Sequence, residues 1–136
     1  MREYYAFDHH RFHKRQALAA LARLIDDKSL GRVWLVEHDN APAGYAVLTY
    51  GYSLEFLGRD AFVDEVYLRP AYRGRGWGRQ TLCALEKSAR AAGVNAIHLE
   101  AMRGNNRARR VYRQLGFSRR PSELMSKLLS VRRRGG

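Results

Sequence analysis

At 136 residues the chain is the size of one ordinary domain, long enough to bury a single hydrophobic core. Hydrophobic residues at 46% and charged residues at 28% exclude a disordered or fibrous chain, and a single cysteine, Cys83, excludes an internal disulfide. The net charge of +12, with ten arginines between Arg103 and Arg134, points either to an anionic partner (a phosphate-bearing cofactor, RNA, an acidic substrate) or to solvated basic faces. No apolar run approaches the roughly 18 residues of a membrane span. The polar, aromatic N-terminus lacks the apolar core of a signal peptide, so a cytoplasmic protein without a membrane partner is expected.

Leu18, Leu21, Ala22 and Ile25 repeat at helical spacing, predicting a helix over 12–25 that ends at the polar stretch 26–29. Residues 33–37 (VWLVE) and 44–50 (GYAVLTY) read as two strands around the turn cluster 38–42, an antiparallel hairpin. Residues 52–60 are ambiguous, and 62–68 (FVDEVYL) form a third strand stopped by Arg69-Pro70. A glycine- and arginine-rich loop follows, then a helix with Leu82, Leu85, Ala89 and Ala92 on one face, ending at Gly93. Residues 96–101 read as a fourth strand, 106–115 as a short helix closed by Gly116, and 124–129 as a last strand. No period of 20–50 residues repeats. The pattern is mixed α/β around one sheet: a single domain over 1–130 with a basic, disordered tail at 131–136.

Arg73-Gly74-Arg75-Gly76-Trp77-Gly78 lies between a strand and a helix. Successive glycines let backbone N–H groups turn toward one point, and the helix behind them presents its unpaired N-terminal donors there. A diphosphate suits that arrangement, with Arg73, Arg75 and Arg79 adding charge. A Walker A loop would need Gly-Lys-Ser/Thr where Gly78-Arg79-Gln80 stands, and a dinucleotide fingerprint would need a third glycine at Arg79. A turn that merely requires positive φ is the plainer alternative. His9, His10 and His13 have no partner ligands at metal spacing, so no metal site is expected. Cys83 reads as a small buried hydrophobe, and Trp34 and Trp77 as packing residues.

Arg73-x-x-Gly76-x-Gly78 resembles the Q/R-x-x-G-x-G/A pyrophosphate loop of the GNAT acetyltransferase superfamily. The resemblance extends to the strand Val63-Asp64-Glu65-Val66-Tyr67-Leu68, to His98-Leu99-Glu100, to Asn105-Asn106-x-Ala108 with Tyr112, and to Leu115-Gly116-Phe117, in family order. It implies a GNAT-like mixed, mostly antiparallel sheet flanked by helices. Met1 to Tyr5 match the end of the family's first helix, which implies that the first strand is lacking.

The resemblance further implies acetyl-CoA as co-substrate, its pantetheine arm paired with the backbone of Val66, Tyr67 and Leu68. Arg73, Gly74, Arg75, Gly76, Trp77 and Gly78 would hold the diphosphate with Arg79 at the edge, and Asn105 or its neighbour Asn106 would contact the cofactor. Tyr112 falls where the family's tyrosine protonates the leaving thiolate, unless it is an ordinary core aromatic. The base would be Glu65, then Glu100, then Asp64, each of which could instead pair with a surface arginine; alternation puts Asp64 and Glu65 on opposite faces. The chemistry asks for such groups: a lysine-like amine has a pKa of about 10.4, so presenting it neutral at pH 7 costs about 4–5 kcal/mol. The expected activity is N-acetylation of a primary amine, on a small molecule or a protein, by direct attack within a ternary complex. A homodimer is compatible with this reading. The alternative is a non-enzymatic CoA- or RNA-binding module; no interleaved aromatic RNA motif supports the nucleic-acid partner.

Overall fold

The computed structural model describes residues 13–130. Helix α1 (Lys14–Asp26) rests against β1 (Gly31–His38), which is followed by β2 (Ala41–Ser53) and β3 (Gly58–Leu68). A short 3-10 turn (Pro70–Tyr72) leads into α2 (Trp77–Ala91), then β4 (Ala96–His98) and α3 (Asn106–Gln114). The four strands form one sheet in the order β1-β2-β3-β4, antiparallel except for the parallel β3–β4 pair. This is the expected mixed, mostly antiparallel sheet flanked by helices. Residues 1–12, with the expected helix end at Met1 to Tyr5 and with His9 and His10, and residues 131–136, the expected basic tail, lie outside the described residues.

The first hairpin closes through Asp39 and Asn40, both at left-handed φ (49° and 62°), which gives a two-residue turn matched to the strand twist. The ambiguous stretch 52–60 is the second hairpin, with β2 running to Ser53 and β3 starting at Gly58. Ala46, Leu48, Ala61 and Val63 on one sheet face meet Leu82, Leu85 and Ala89 of α2, and Leu48 and Leu85 are sealed from solvent. Burying a leucine side chain is worth about 1.5–3 kcal/mol, so these few residues carry much of the driving force for folding.

Three expectations are corrected. Residues 124–129 form no strand: Leu124, Met125, Leu128 and Leu129 are 69–92% exposed, and no neighbouring strand offers them a ladder. Their apolar character alone does not make a strand without cross-strand contacts. The fourth strand stops at His98 instead of 101, because its ladder with β3 ends at the Phe62–His98 pair. Cys83 is exposed rather than buried, since the face of α2 that meets the sheet is that of Leu82, Leu85 and Ala89. No helix among the described residues is long and apolar enough to cross a membrane.

Candidate active site

β3 and β4 are paired only at Asp60–Ala96, Ala61–Ile97 and Phe62–His98. Beyond that point the two parallel strands part. The remaining β3 residues, 63–68, keep β2 on one side and have no strand neighbour on the other among the described residues. A cleft with an open backbone edge therefore begins where β4 ends. A β-bulge at its entrance accompanies the parting: Leu48 pairs with Val63 and Val47 with Glu65, which leaves Asp64 as the extra residue.

The bulge settles the orientation of the acids. Val66 packs against the core, so Glu65 and Tyr67 turn to the opposite face of the sheet, away from α2. Glu65 is buried, and the Tyr45 hydroxyl donates to its Oε1 at 3.3 Å. The Tyr45 and Tyr67 rings lie 6.2 Å apart on that face. Asp64 retains solvent contact, yet burial by surrounding atoms pushes its carboxyl above the ordinary range. Glu100 is exposed and lies two residues beyond the end of β4. On the same face as Glu65, Asp60 is engaged by His98, whose Nε2 lies 3.1 Å from Oδ2, with the Phe56 ring 5.0 Å from the imidazole. Among the described residues no three histidine, cysteine or acidic side chains are grouped to hold a metal ion.

The glycine loop closes the cleft's far end. Gly74 and Gly76 take left-handed backbone conformations (φ 78° and 80°), and Gly76 is the N-cap of α2. The first helical bond runs from the Gln80 N–H to Gly76 O at 3.1 Å, so the amides of Trp77, Gly78 and Arg79 precede any helical acceptor. No acidic residue occupies that first turn to satisfy them. Arg73 Nε donates to Leu68 O at 2.8 Å and its guanidinium covers the Tyr67 ring. That contact folds the loop back onto the last residue of β3. Trp77 stacks on Tyr72 with ring centroids 5.2 Å apart, which makes it a packing residue, and Arg75 lies over its indole.

α3 lies across the loop and is fixed to it at both ends. Near its C-terminus Gln114 Oε1 accepts from Arg79 Nη2. At its start the Arg107 guanidinium sits so close to Gly74 that a Cβ there would meet Nη2 at 2.6 Å. Asn105, expected to touch cofactor, caps the helix, its Oδ1 accepting from the Ala108 N–H at 3.2 Å. Asn106 is the first helical residue and is exposed. Tyr112 packs against the hydrophobic core, edge-on to Phe117, and burial pushes its phenol above the usual value.

The structure thus gathers Val66, Tyr67, Leu68, Glu65 and the 73–79 loop around one cleft, with Tyr112 on the helix that crosses it, and leaves Glu100 on an exposed segment past β4. Sequence reasoning passed over Tyr45, His98, Gln114 and Arg107. Tyr45 was legible in principle from the hairpin register opposite Tyr67, and Arg107 from its place beside Asn105-Asn106.

Residues 1–117 match the model of the acetyltransferase (GNAT) family. The chain belongs to that family. An integron cassette protein from the mobile metagenome of Cole Harbour Salt Marsh shares this GNAT fold at a TM-score of 0.84 and 30% identity, over 96% of this chain and 80% of that one. By sequence, the GNAT chain is 34% identical over 70 residues to the uncharacterized N-acetyltransferase YycN of Bacillus subtilis, across 52% of this chain and 45% of that protein. It is 30% identical over 73 residues to the thialysine N-ε-acetyltransferase of Bos taurus, across 54% of this chain and 42% of that protein. The chain therefore spans less than half the length of these two relatives.

Proposed function

We propose that this GNAT domain transfers the acetyl group of acetyl-CoA to a primary amine by direct attack within a ternary complex. The observation that carries the reading is the parting of β3 from β4 directly beside the glycine loop at the start of α2. An extended pantetheine arm fits the open edge of β3, and a diphosphate fits the unpaired amides of Trp77, Gly78 and Arg79. Acetyl-CoA brings an activated thioester; the chain supplies position and proton management. The named relatives, an N-acetyltransferase and an enzyme acting on the ε-amine of thialysine, support an amine acceptor.

Glu65 is the base in this reading. It is buried on the cleft face and hydrogen-bonded by Tyr45, where a carboxylate can take the proton that an alkylammonium must lose before it attacks. Tyr112, its phenol pushed above the ordinary value by burial, hands its proton to the departing thiolate. The acidic and aromatic face formed by Glu65, Asp60, Tyr45, Tyr67 and Phe62 suits a cationic acceptor despite the overall positive charge.

The test is thiol release from acetyl-CoA measured against a panel of primary amines. The reading expects release that requires both substrates and saturates in each. Cofactor binding with no amine raising the rate above background would reject the transferase and favour a CoA-binding module.

A further inference from the structure

The arginines around the glycine loop differ in what they already hold. Arg73 is committed to Leu68 O and the Tyr67 ring, Arg79 to Gln114, and Arg75 lies over Trp77. Arg107 differs: its guanidinium lies against Gly74 with no acid, carbonyl or ring partnering it among the described residues. It also stands in an adverse place. The first turn of α3 carries no acidic residue, and a cation at a helix N-terminus is repelled by the helix dipole. The N-terminus of α2, with its own unpaired amides, lies just beyond Gly74. This exposed positive side chain thus stands near two helix N-termini whose first turns carry no acid, and a polyanion bound there would turn that adverse setting favourable.

We infer that Arg107 is a phosphate ligand of the bound coenzyme, reaching from α3 over Gly74 to grip a phosphate seated on the α2 amides. The inference rests on the acetyl-CoA reading above. The guanidinium fork matches a phosphate with two parallel N–H donors, which an ammonium does not reproduce. Gly74 belongs to the same device: any side chain there would fill the space the guanidinium occupies, in addition to straining a left-handed residue. Because Arg107 projects from the helix that carries Tyr112, a phosphate gripped there also ties cofactor occupancy to the placement of α3.

The coenzyme offers two phosphate sources, the diphosphate and the ribose 3′-phosphate, and one experiment separates them. Acetyl-CoA and its 3′-dephospho analogue are titrated calorimetrically into the wild type, Arg107→Gln, Arg107→Lys, and Arg32→Gln as a charge-matched control on the outer strand β1. Arg107→Gln is expected to weaken acetyl-CoA at least tenfold, Arg107→Lys by less, and Arg32→Gln by under twofold. A loss that vanishes with the dephospho analogue assigns the 3′-phosphate; a loss that persists assigns the diphosphate. The melting temperature of the cofactor-free protein should stay level or rise in Arg107→Gln, because an adverse charge has gone. An Arg107→Gln affinity within twofold of wild type, or a fall in cofactor-free melting temperature without loss of affinity, would overturn the inference and leave Arg107 a structural residue. Failure of the wild type to bind acetyl-CoA at all would instead overturn the reading beneath it, and this inference with it.

Discussion

The Tyr45 hydroxyl reaches Glu65 Oε1 diagonally across the β2–β3 ladder, because Tyr45 pairs with Tyr67 and Glu65 stands two residues before it on the same face. The bond fixes the orientation of the buried carboxylate on the cleft face. Glu65→Gln is expected to lower kcat by about 10²–10⁴-fold with little change in acetyl-CoA affinity. Tyr45→Phe should leave a working enzyme with a lower kcat and unchanged acetyl-CoA affinity, because the carboxylate loses the donor that orients it. A Glu65→Gln enzyme with wild-type turnover would transfer the role to another group.

Tyr112→Phe should reduce kcat while leaving acetyl-CoA affinity unchanged, since the ring still packs against the core and Phe117. Burial raises this phenol, so its deprotonation should produce an alkaline limb above the ordinary tyrosine value of about 10. A pH–rate profile for wild type and variant measures both. Unaltered turnover in the variant would make Tyr112 a core aromatic and no more.

Asp64 gives a stability prediction with a definite sign. Burial raises its folded pKa above the unfolded value of about 3.9, so the folded state holds the proton more tightly. Stability from this group is therefore present at low pH and is lost as pH rises through the window above 3.9. Asp64→Asn should raise the melting temperature at pH 7, and the gain should fade below the unfolded pKa. Since Asp64 is the bulge residue and not the buried partner of Tyr45, the variant should also retain most of its turnover.

Much of this arrangement was legible in the sequence, and what was not has physical causes. The loop, α2 and the core face of Leu82, Leu85 and Ala89 follow from local chemistry, namely glycine spacing and 3.6-residue periodicity. Glu65 stands ahead of Glu100 as the expected base, but the geometry that separates them, the end of β4 at His98, does not follow from local chemistry. That end is set by pairing with β3, a long-range fact that residues 96–101 do not carry. Leu124 to Leu129 failed as a strand for the same reason: their apolar pattern has no ladder beside it. Arg107 escaped notice because only the fold carries the start of α3 to Gly74.

Gly76→Val probes the loop. A Cβ at Gly76 would meet nothing within 4 Å, so the cost is the left-handed backbone itself, about 1–2 kcal/mol for an L-residue. The protein should therefore fold, with a modestly lower melting temperature, while acetyl-CoA affinity drops at least tenfold as the amides turn away. Equal affinity in Gly76→Val and wild type would detach the loop from cofactor binding.

The central claim is that the cleft between β3 and β4 and the loop behind it form an acetyl-CoA site. Calorimetric titration of the protein with acetyl-CoA, with NAD and ATP as controls, addresses it most directly. The account expects saturable one-to-one binding of acetyl-CoA and at least tenfold weaker binding of either control. No heat with acetyl-CoA, or equal affinity for ATP, would contradict it.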